Sequence, residues 1–473
     1  MSLCSTFGLF PYPTVMTRLI RGGLVAFFGL LFARSNREAF FFAVVSYLLV
    51  LASSLISHLH FLLLLAPPRT PGSTPTPRCP PANPFRHITL LTKLALSPPA
   101  IPLQLLRALE SSETTLKAGS KSFSVAKLGW SREMRCGLIT VYGWCRVTDD
   151  LIDDDHDEAG EVVSIETKVE SEEDAAGSLK EIESRKRRRL GMMRRFLDLA
   201  YAEDGQDELD DFLVAQVPTR AYSSFYLFSR IIVDLVPRRP FDDLLDGYQM
   251  DLEFPDKREM LELTKARADH DVPWAKISPI QTEADLVLYA DRVAGSVADM
   301  IIHLTWNILT SEPITAETGW KLSPARQETL RMGRMMGQAL QLVNIARDVR
   351  SDVEAIGRIY IPMQWFGAGG KEGQEQINRL AHRPGDLVGA FDAPKYTLRM
   401  LRMAETLRDG SSGAIGDLPR TAQAGTRAMV ASYFEIGKEV ERRGGQVPSL
   451  EQGRLRVSKR RRLTAVLWSI WGL

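Results

Sequence analysis

The chain has 473 residues, with 59 Lys and Arg against 58 Asp and Glu, so its formal net charge is +1. That balance argues against a nucleic-acid binder, which would carry a clear basic excess, and no nucleic-acid partner is expected. Four cysteines without a CxxC pair argue against a disulfide scaffold or a cysteine-based zinc site, and 45% hydrophobic residues indicate a globular protein with a large core.

The first 110 residues form a basic leader, with nine Lys and Arg against two carboxylates. Within it, Ala39–Ala66 has no charged residue and exceeds the roughly 20 residues that cross a hydrocarbon core, which predicts a transmembrane helix. A signal peptide and a buried core helix are the alternatives. Arginines flank the run on both sides, so the orientation of the helix stays open. Residues 67–84 are rich in proline and predict a stiff linker to a body at 111–473.

The body is predicted to be all-α, because apolar residues recur at spacings of three and four along five stretches, namely 114–150, 191–253, 284–310, 325–355 and 395–443. No GxGxxG, GxxxxGK[ST] or GxSxG motif favours a Rossmann, P-loop or α/β-hydrolase fold. Residues 155–190 are acidic and then basic, with RKRRR at Arg185–Arg189, and predict a solvated charged loop. A membrane or nuclear-localisation patch is the alternative interpretation of the basic run.

A first acidic motif lies within Tyr142–Asp154 and presents four carboxylates on one side of a helix. They form two pairs at a spacing of four, Asp149 with Asp153 and Asp150 with Asp154. Like charges at this spacing repel, and a chain accepts that more readily when a cation lies between them. Mg²⁺ prefers oxygen ligands of this kind and shares phosphate oxygens with a substrate. The alternative is an acidic helix end that runs into an acidic loop.

A second polar stripe follows about 200 residues later and spans roughly 80° of one helix, at Gln341, Asn344, Asp348 and Asp352. Apolar neighbours bound the stripe, which predicts the wall of a cavity, although a solvent-facing stripe is the alternative. If the two carboxylate helices face each other across a bundle, they can hold two or three Mg²⁺ ions, or Mn²⁺ in their place, around a diphosphate.

The body resembles the squalene and phytoene synthases, most closely the fungal members of that family, from about Leu116 to Leu463. Six stretches in order carry the resemblance: Ser120-Lys-Ser-Phe-Ser, Tyr142–Asp154, Gly247-Tyr-Gln-Met-Asp-Leu, Val293-Ala-Gly-Ser-Val, Gln341–Asp352 and Gly357-Arg-Ile-Tyr-Ile-Pro. The resemblance implies a single-domain isoprenoid-synthase helical bundle with a central cavity, behind a short membrane-associated leader. One departure is the run from Tyr289, which reads Tyr-Ala-Asp-Arg-Val-Ala-Gly where the family usually has cysteine and tyrosine.

The resemblance also implies site residues. The metal ligands would be Asp149, Asp150, Asp153, Asp154, Asn344, Asp348 and Asp352. The substrate-binding residues would be Lys121, Ser122, Phe123, Arg146, Gln341 and Arg358, and the catalytic candidates are Tyr142, Arg146, Tyr289, Arg347 and Tyr360. Aromatic faces steady a carbocation, and arginine suits bidentate contact with diphosphate. The aromatic residues could equally be ordinary core residues, and the two catalytic arginines could simply pair with adjacent aspartates.

The implied activity is a Mg²⁺-dependent condensation of two geranylgeranyl diphosphates, head to head, to phytoene through a cyclopropylcarbinyl diphosphate. No nicotinamide-binding motif is visible, so NADPH is not expected. Fungal members are often fused to a multi-span lycopene cyclase, and this leader, whose carboxylates are Glu38 and Glu110, predicts an inactive remnant or a truncated gene model. Leader and substrate together predict an enzyme on the endoplasmic reticulum or another endomembrane, in contact with its lipids, with the catalytic domain facing the cytosol.

Three other functions remain open from the sequence. The chain could be a squalene-type or other head-to-head synthase that uses farnesyl diphosphate, because substrate length depends on pocket depth. It could be a bifunctional chain that retains lycopene β-cyclase activity. It could also be a non-catalytic membrane assembly factor with the synthase fold, although intact aspartates in both motifs argue against this. The oligomeric state is open as well.

Overall fold

The computed structural model describes residues 102–119, 130, 132–153, 172–266, 274–367, 371–381 and 391–471. Gln104–Leu473 forms one compact unit. The predicted membrane span Ala39–Ala66, the linker 67–84 and the suggested cyclase remnant lie outside the described residues. Among the residues that are described, no helix combines the length and the apolar character that crossing a membrane requires.

The described residues form α-helices with short π and 3₁₀ turns and contain no β-strand, which confirms the predicted all-α class. The first seven helices are α1 (Leu103–Gly119), α2 (Arg132–Asp153), α3 (Glu172–Ala200), α4 (Gln206–Ala215), α5 (Thr219–Leu227), α6 (Arg239–Asp251) and α7 (Lys257–Ala266). The next eight are α8 (Glu283–Ala290), α9 (Ser296–Leu309), α10 (Pro324–Ile356), α11 (Lys371–Ala381), α12 (Ala393–Ser411), α13 (Ala414–Asp417), α14 (Arg420–Arg442) and α15 (Lys459–Trp471).

Helix α10 carries the second polar stripe, and its 33 residues make it about 50 Å long. The Ser323 side chain accepts a hydrogen bond from the backbone of Arg326 at 3.3 Å, and Pro324 occupies the first turn, so the helix start is capped. The helix ends at Gly357, whose φ of 76° is left-handed. An added Cβ there would lie 2.5 Å from the Cα of Lys257, so the chain turns in a space that only glycine fits.

Two apolar clusters form the core of the described residues. One gathers around Trp144 of α2 and includes residues of α3 to α6 and α9. The other is built mainly by α10, α12 and α14, with α7, α8 and α11 around them. The π turn Asp291–Gly295 joins the two, because Val293 packs against both. Gly337 of α10 approaches this turn so closely that a Cβ would lie 2.4 Å from the Ala294 carbonyl oxygen.

The predicted loop at 155–190 is wrong over its second half, because α3 begins at Glu172. Acidic and basic side chains pair along this helix, as in the contact between Glu183 and Arg187 at 2.7 Å. An exposed helix therefore accommodates the charged residues as well as a solvated loop does. Arg189 of the basic run is 7% exposed and donates a hydrogen bond to the Leu151 carbonyl at 2.8 Å. One cation of that run therefore caps the helix that holds the first acidic motif.

Candidate active site

The first acidic motif occupies the last two turns of α2. Arg146 contacts Asp149 at 3.2 Å and Asp150 at 2.6 Å, so this arginine does pair with adjacent carboxylates. The Trp144 side chain, on the other side of α2, is fully buried against Phe228 and Phe241 with ring centroids 5.0 and 5.3 Å away. That aromatic packing fixes the helix, and the acidic side chains extend from its opposite side.

The negative charge around the Asp149 carboxylate exceeds the positive charge that Arg146 supplies. Burial raises its pKa to about 7, and the nearby charge of Asp153 adds to that rise, while Arg146 lowers it. Yet 41% of the side-chain surface remains open, which is what a carboxylate on the wall of a cleft shows. Asp150 is the more open of the Arg146 partners at 49%, and Asp154 lies outside the described residues.

Asp348, in the second motif, is well supplied with cations. Arg347 Nε donates to it at 2.7 Å, and Arg454 Nη2 donates to it at 2.9 Å from a segment 106 residues further along the chain. Burial would raise the pKa of Asp348, but the hydrogen bonds and charges of Arg347 and Arg454 outweigh burial and lower it. Arg347 is 9% exposed and, like Arg146, pairs with its neighbouring aspartate.

The environment of Asp352, one turn further along α10, differs from that of Asp348. No hydrogen bond or ion pair joins its side chain to another described residue. Burial, and then the charge of Asp348, raise the pKa of Asp352 to about 8, with Arg347 and Arg358 acting in the other direction from a distance. The polar stripe is completed by Asn344, whose amide donates to Gln341 at 3.4 Å.

Arg358 joins the two motifs. It follows Gly357 at the end of α10, and its Nη2 lies 3.0 Å from Asp153 Oδ1 at the end of α2. Its Nη1 lies 3.5 Å from Asp251. The residue that follows Gly357 at the end of α10 therefore lies beside the end of α2, and the guanidinium at this point is 10% exposed.

Asp251, at the end of α6, also organises two of the predicted tyrosines. The Tyr360 hydroxyl donates to one carboxylate oxygen at 2.8 Å, and the Tyr289 hydroxyl donates to the other at 3.3 Å. The two rings stack with centroids 4.9 Å apart, and Phe254 packs against Tyr360 at 5.0 Å. Burial raises the pKa of Asp251, while Arg358 and the tyrosine hydrogen bonds lower it.

Sequence reasoning missed Asp251 and Arg454 as site residues. Asp251 stands within one of the six stretches that carry the family resemblance, but a single buried aspartate at a helix end gives no sign of its partners. Arg454 lies in a basic segment without a distinctive motif. Tyr248, in the same stretch as Asp251, bonds to the Cys145 carbonyl at 3.0 Å and so ties α6 to α2.

The remaining predicted residues divide between the described and the undescribed parts. Burial, and then Tyr433, raise the pKa of Tyr142 to about 12, so its hydroxyl is protonated near neutral pH. Burial raises the pKa of the Cys145 thiol, which agrees with a packing role and not with a nucleophile. Lys121, Ser122 and Phe123 lie outside the described residues.

The donor atoms of the site determine which divalent cation it could hold. Within the described ranges, no three Asp, Glu, His or Cys side chains converge tightly enough to hold a metal on their own. The donors are nevertheless all hard oxygens, and Asp149 and Asp352 lie in acidic surroundings that the arginines do not neutralise. These residues fit an ion such as Mg²⁺ that takes its other ligands from water and a phosphate group.

The chain is similar in sequence to proteins of one family. A family model described as squalene/phytoene synthase matches residues 116–461. The bifunctional lycopene cyclase/phytoene synthase of Phaeosphaeria nodorum is 31% identical over 437 residues, which cover 91% of this chain and 61% of that protein. The protein of the same name from Phaffia rhodozyma is 31% identical over 461 residues, covering 85% and 61%. The chain therefore spans about three fifths of the length of these relatives.

Among solved structures, the crystal structure of a dehydrosqualene synthase in complex with ligand is similar at 18% identity, with a TM-score of 0.44. The match covers 77% of this chain and 96% of that one.

Proposed function

Because the chain belongs to the squalene/phytoene synthase family, we propose that it joins two geranylgeranyl diphosphates head to head to give phytoene. The observation that carries the proposal is the ion pair between Arg358, just beyond the helix of the second polar stripe, and Asp153 of the first acidic motif, at 3.0 Å. The choice of phytoene draws on the names of the relatives, each of which is longer than this chain.

The reaction runs in two ionisations. The first substrate loses its diphosphate, and the double bond of the second attacks the allylic cation, which yields a cyclopropylcarbinyl diphosphate after a proton is lost. That intermediate loses the second diphosphate, and its cation rearranges and gives up a proton to form phytoene. Two diphosphates and two protons leave for each product, so the condensation requires no reductant.

The arginines of the site would bind the diphosphates. Arg347 and Arg454 contact Asp348, and Arg358 contacts Asp153 and Asp251, so these guanidinium groups already lie at the acidic surface. A bound diphosphate has more oxygen acceptors for these guanidinium groups than a carboxylate has. Ligand binding would therefore exchange carboxylate partners for phosphate partners at fixed cations.

Mg²⁺, or Mn²⁺ in its place, would be held by Asp149 and Asp153 on α2 and by Asn344, Asp348 and Asp352 on α10. When bound, the ion would neutralise charge on the departing diphosphate.

The tyrosine pair would shelter the carbocation. Tyr289 and Tyr360 are 5% and 8% exposed, and their stacked rings lie beside Asp251. An aromatic face stabilises a cation without offering a nucleophile, and a water-poor wall protects the cation from hydrolysis. Burial raises the pKa of both hydroxyls, so the pair stays neutral.

The test is a product assay with the purified full chain, geranylgeranyl diphosphate and Mg²⁺. We expect a C40 hydrocarbon, loss of turnover with a chelator, and recovery when Mg²⁺ is restored. Asp149→Ala and Asp348→Ala should each lower turnover by about 10²-fold or more, as removal of a group that stabilises developing charge does.

Asp246→Ala is the matched control, because Asp246 is a half-exposed aspartate of α6 that pairs with Arg194 at 2.8 Å. It should keep turnover close to that of the parent chain. If both site variants retain turnover, the assignment of the site is wrong. A C30 product from farnesyl diphosphate, with none from the longer substrate, would replace the proposal by a squalene-type synthase.

A further inference from the structure

Helix α15 presents an apolar face to solvent. Leu463, Leu467 and Trp468 are 56%, 41% and 57% exposed, and they lie together at spacings of four and five along the helix. On the other side, Val466 is buried where α15 packs against α14. The other large apolar side chains exposed in the described part of the chain, Val214, Leu288, Ile356 and Leu450, do not share an element. Clustered exposure of this kind marks a contact surface.

The same segment is strongly basic. From Gln452 to Leu473 the chain has six Lys and Arg and no Asp or Glu. Arg454 and Arg461 pair with Asp348 and Glu439 of the body. Three others, Arg456, Lys459 and Arg460, are exposed and have no ion-pair partner among the residues that the structure describes.

We propose that the outer face of α15 docks on the surface of a membrane that contains anionic lipid. Leu463, Leu467 and Trp468 would enter the boundary between headgroups and acyl chains, and the basic residues at the start of the helix would contact lipid phosphates. The helix has 13 residues and is about 20 Å long, so it lies on a bilayer and does not cross it.

Charge decides between a membrane and a second copy of the chain. Two copies that met through this face would bring two sets of unpaired cations together, and the segment supplies no carboxylate to offset them. An anionic bilayer offers both the apolar layer and the negative charge that the face lacks. Tryptophan beside leucine, flanked by Lys and Arg, is also the composition of helices that lie at a lipid surface.

The inner face of α15 adjoins the candidate active site. Arg462, one residue before Leu463, is half-buried, and burial lowers its pKa, with nearby Arg347 acting in the same direction. Arg454 reaches Asp348 from the segment just before the helix. A docked α15 would thus hold the acidic site next to the lipid, which, on the proposed function, is where a prenyl substrate dissolves.

Native tryptophan fluorescence of the full chain tests the proposal. All eight tryptophans lie at or after Trp130, so the leader contributes no signal even if it inserts into the bilayer. Vesicles would contain phosphatidylcholine brominated near the headgroup, with or without phosphatidylserine. We expect quenching with the anionic vesicles, and Trp468→Phe and the pair Leu463→Ser with Leu467→Ser should each remove most of it.

Charge variants complete the test. Lys459→Gln with Arg460→Gln should lower the quenching to the level seen with neutral vesicles. The matched control, Arg187→Gln with Arg188→Gln, neutralises two exposed cations of α3 and should leave it unchanged. Quenching that persists in the Trp468 and leucine variants would overturn the proposal, because the lipid would then contact another surface. Absence of quenching, or a dimer that the leucine pair dissociates, would overturn it too, and none of these readings depends on catalysis.

Discussion

Two groups of aspartates on helix α10 and its neighbours differ in how their charge is balanced. Near the start of α10, the Arg334 guanidinium contacts Asp243 at 2.8 Å, Asp299 at 3.1 Å and Asp291 at 2.5 Å, an arrangement called here the Arg334 cluster. About 27 Å further along the same helix, the candidate site has Asp352, which contacts no cation among the described residues.

The contrast lies in the contacts and not in the number of acidic residues. In the Arg334 cluster every carboxylate touches the central cation, so the group is complete and stabilises the junction of α6, α9 and α10. In the site, Asp348 contacts two arginines, whereas burial, and then a neighbouring carboxylate, raise the pKa of Asp149 and of Asp352. A buried carboxylate whose charge no protein cation balances is the group that a bound cation would stabilise.

The largest effect on stability is expected from the Arg334 cluster. Arg334→Met should lower the free energy of unfolding by about 3 kcal/mol, because it leaves three aspartates, of which Asp299 is 7% exposed, without their shared partner. Urea unfolding measures the change. Arg331→Met, which breaks a surface pair with Glu328 on the same helix, is the control and should leave the midpoint unchanged. Equal midpoints for both variants would show that the cluster does not stabilise the junction.

A smaller effect is expected at Asp251. Asp251→Asn keeps the size of the side chain but replaces one acceptor by a donor, so one tyrosine hydroxyl loses its partner and Arg358 loses a counter-charge. Turnover should fall about tenfold, or about 1.4 kcal/mol in activation free energy, with little change in stability.

A double-mutant cycle with Tyr289→Phe distinguishes positioning from packing. If Asp251 acts by holding that hydroxyl, the two substitutions together should cost less than the sum of their separate effects on turnover. Strict additivity would mean that Asp251 acts without Tyr289.

The smallest effect should have the opposite sign. Without Mg²⁺, Asp352→Asn should raise the free energy of unfolding by about 1 kcal/mol, because folding forces the buried carboxyl either to take up a proton, with its pKa raised to about 8, or to keep a charge that has no partner. On the proposed function, Mg²⁺ with a diphosphate analogue should raise the melting temperature of the parent chain, and Asp352→Asn should abolish that rise. Asp348→Asn is the matched control and should destabilise the chain, since that carboxylate contacts Arg347 and Arg454. If both substitutions change the free energy of unfolding in the same direction, the charges of Asp348 and Asp352 are not balanced differently.

The sequence by itself determined the all-α class and both acidic faces. Helical periodicity is a local property, so the spacing of Gln341, Asn344, Asp348 and Asp352 fixed which side of α10 they share before any partner was known. The charged residues from Glu172 onward gave no such guidance. An exposed helix and a solvated loop accept the same composition, and the loop prediction failed there.

Only the tertiary structure decided which residues complete the site. Tyr360 meets Asp251 across 109 residues and Arg454 meets Asp348 across 106. Contacts between residues so far apart in the sequence depend on how the helices pack and on which distant segments meet. The type of a residue does not determine either. The same reason explains why the sequence identified the carboxylates of the two acidic motifs but neither Asp251 nor the cations that balance each carboxylate, because folding alone brings these groups together.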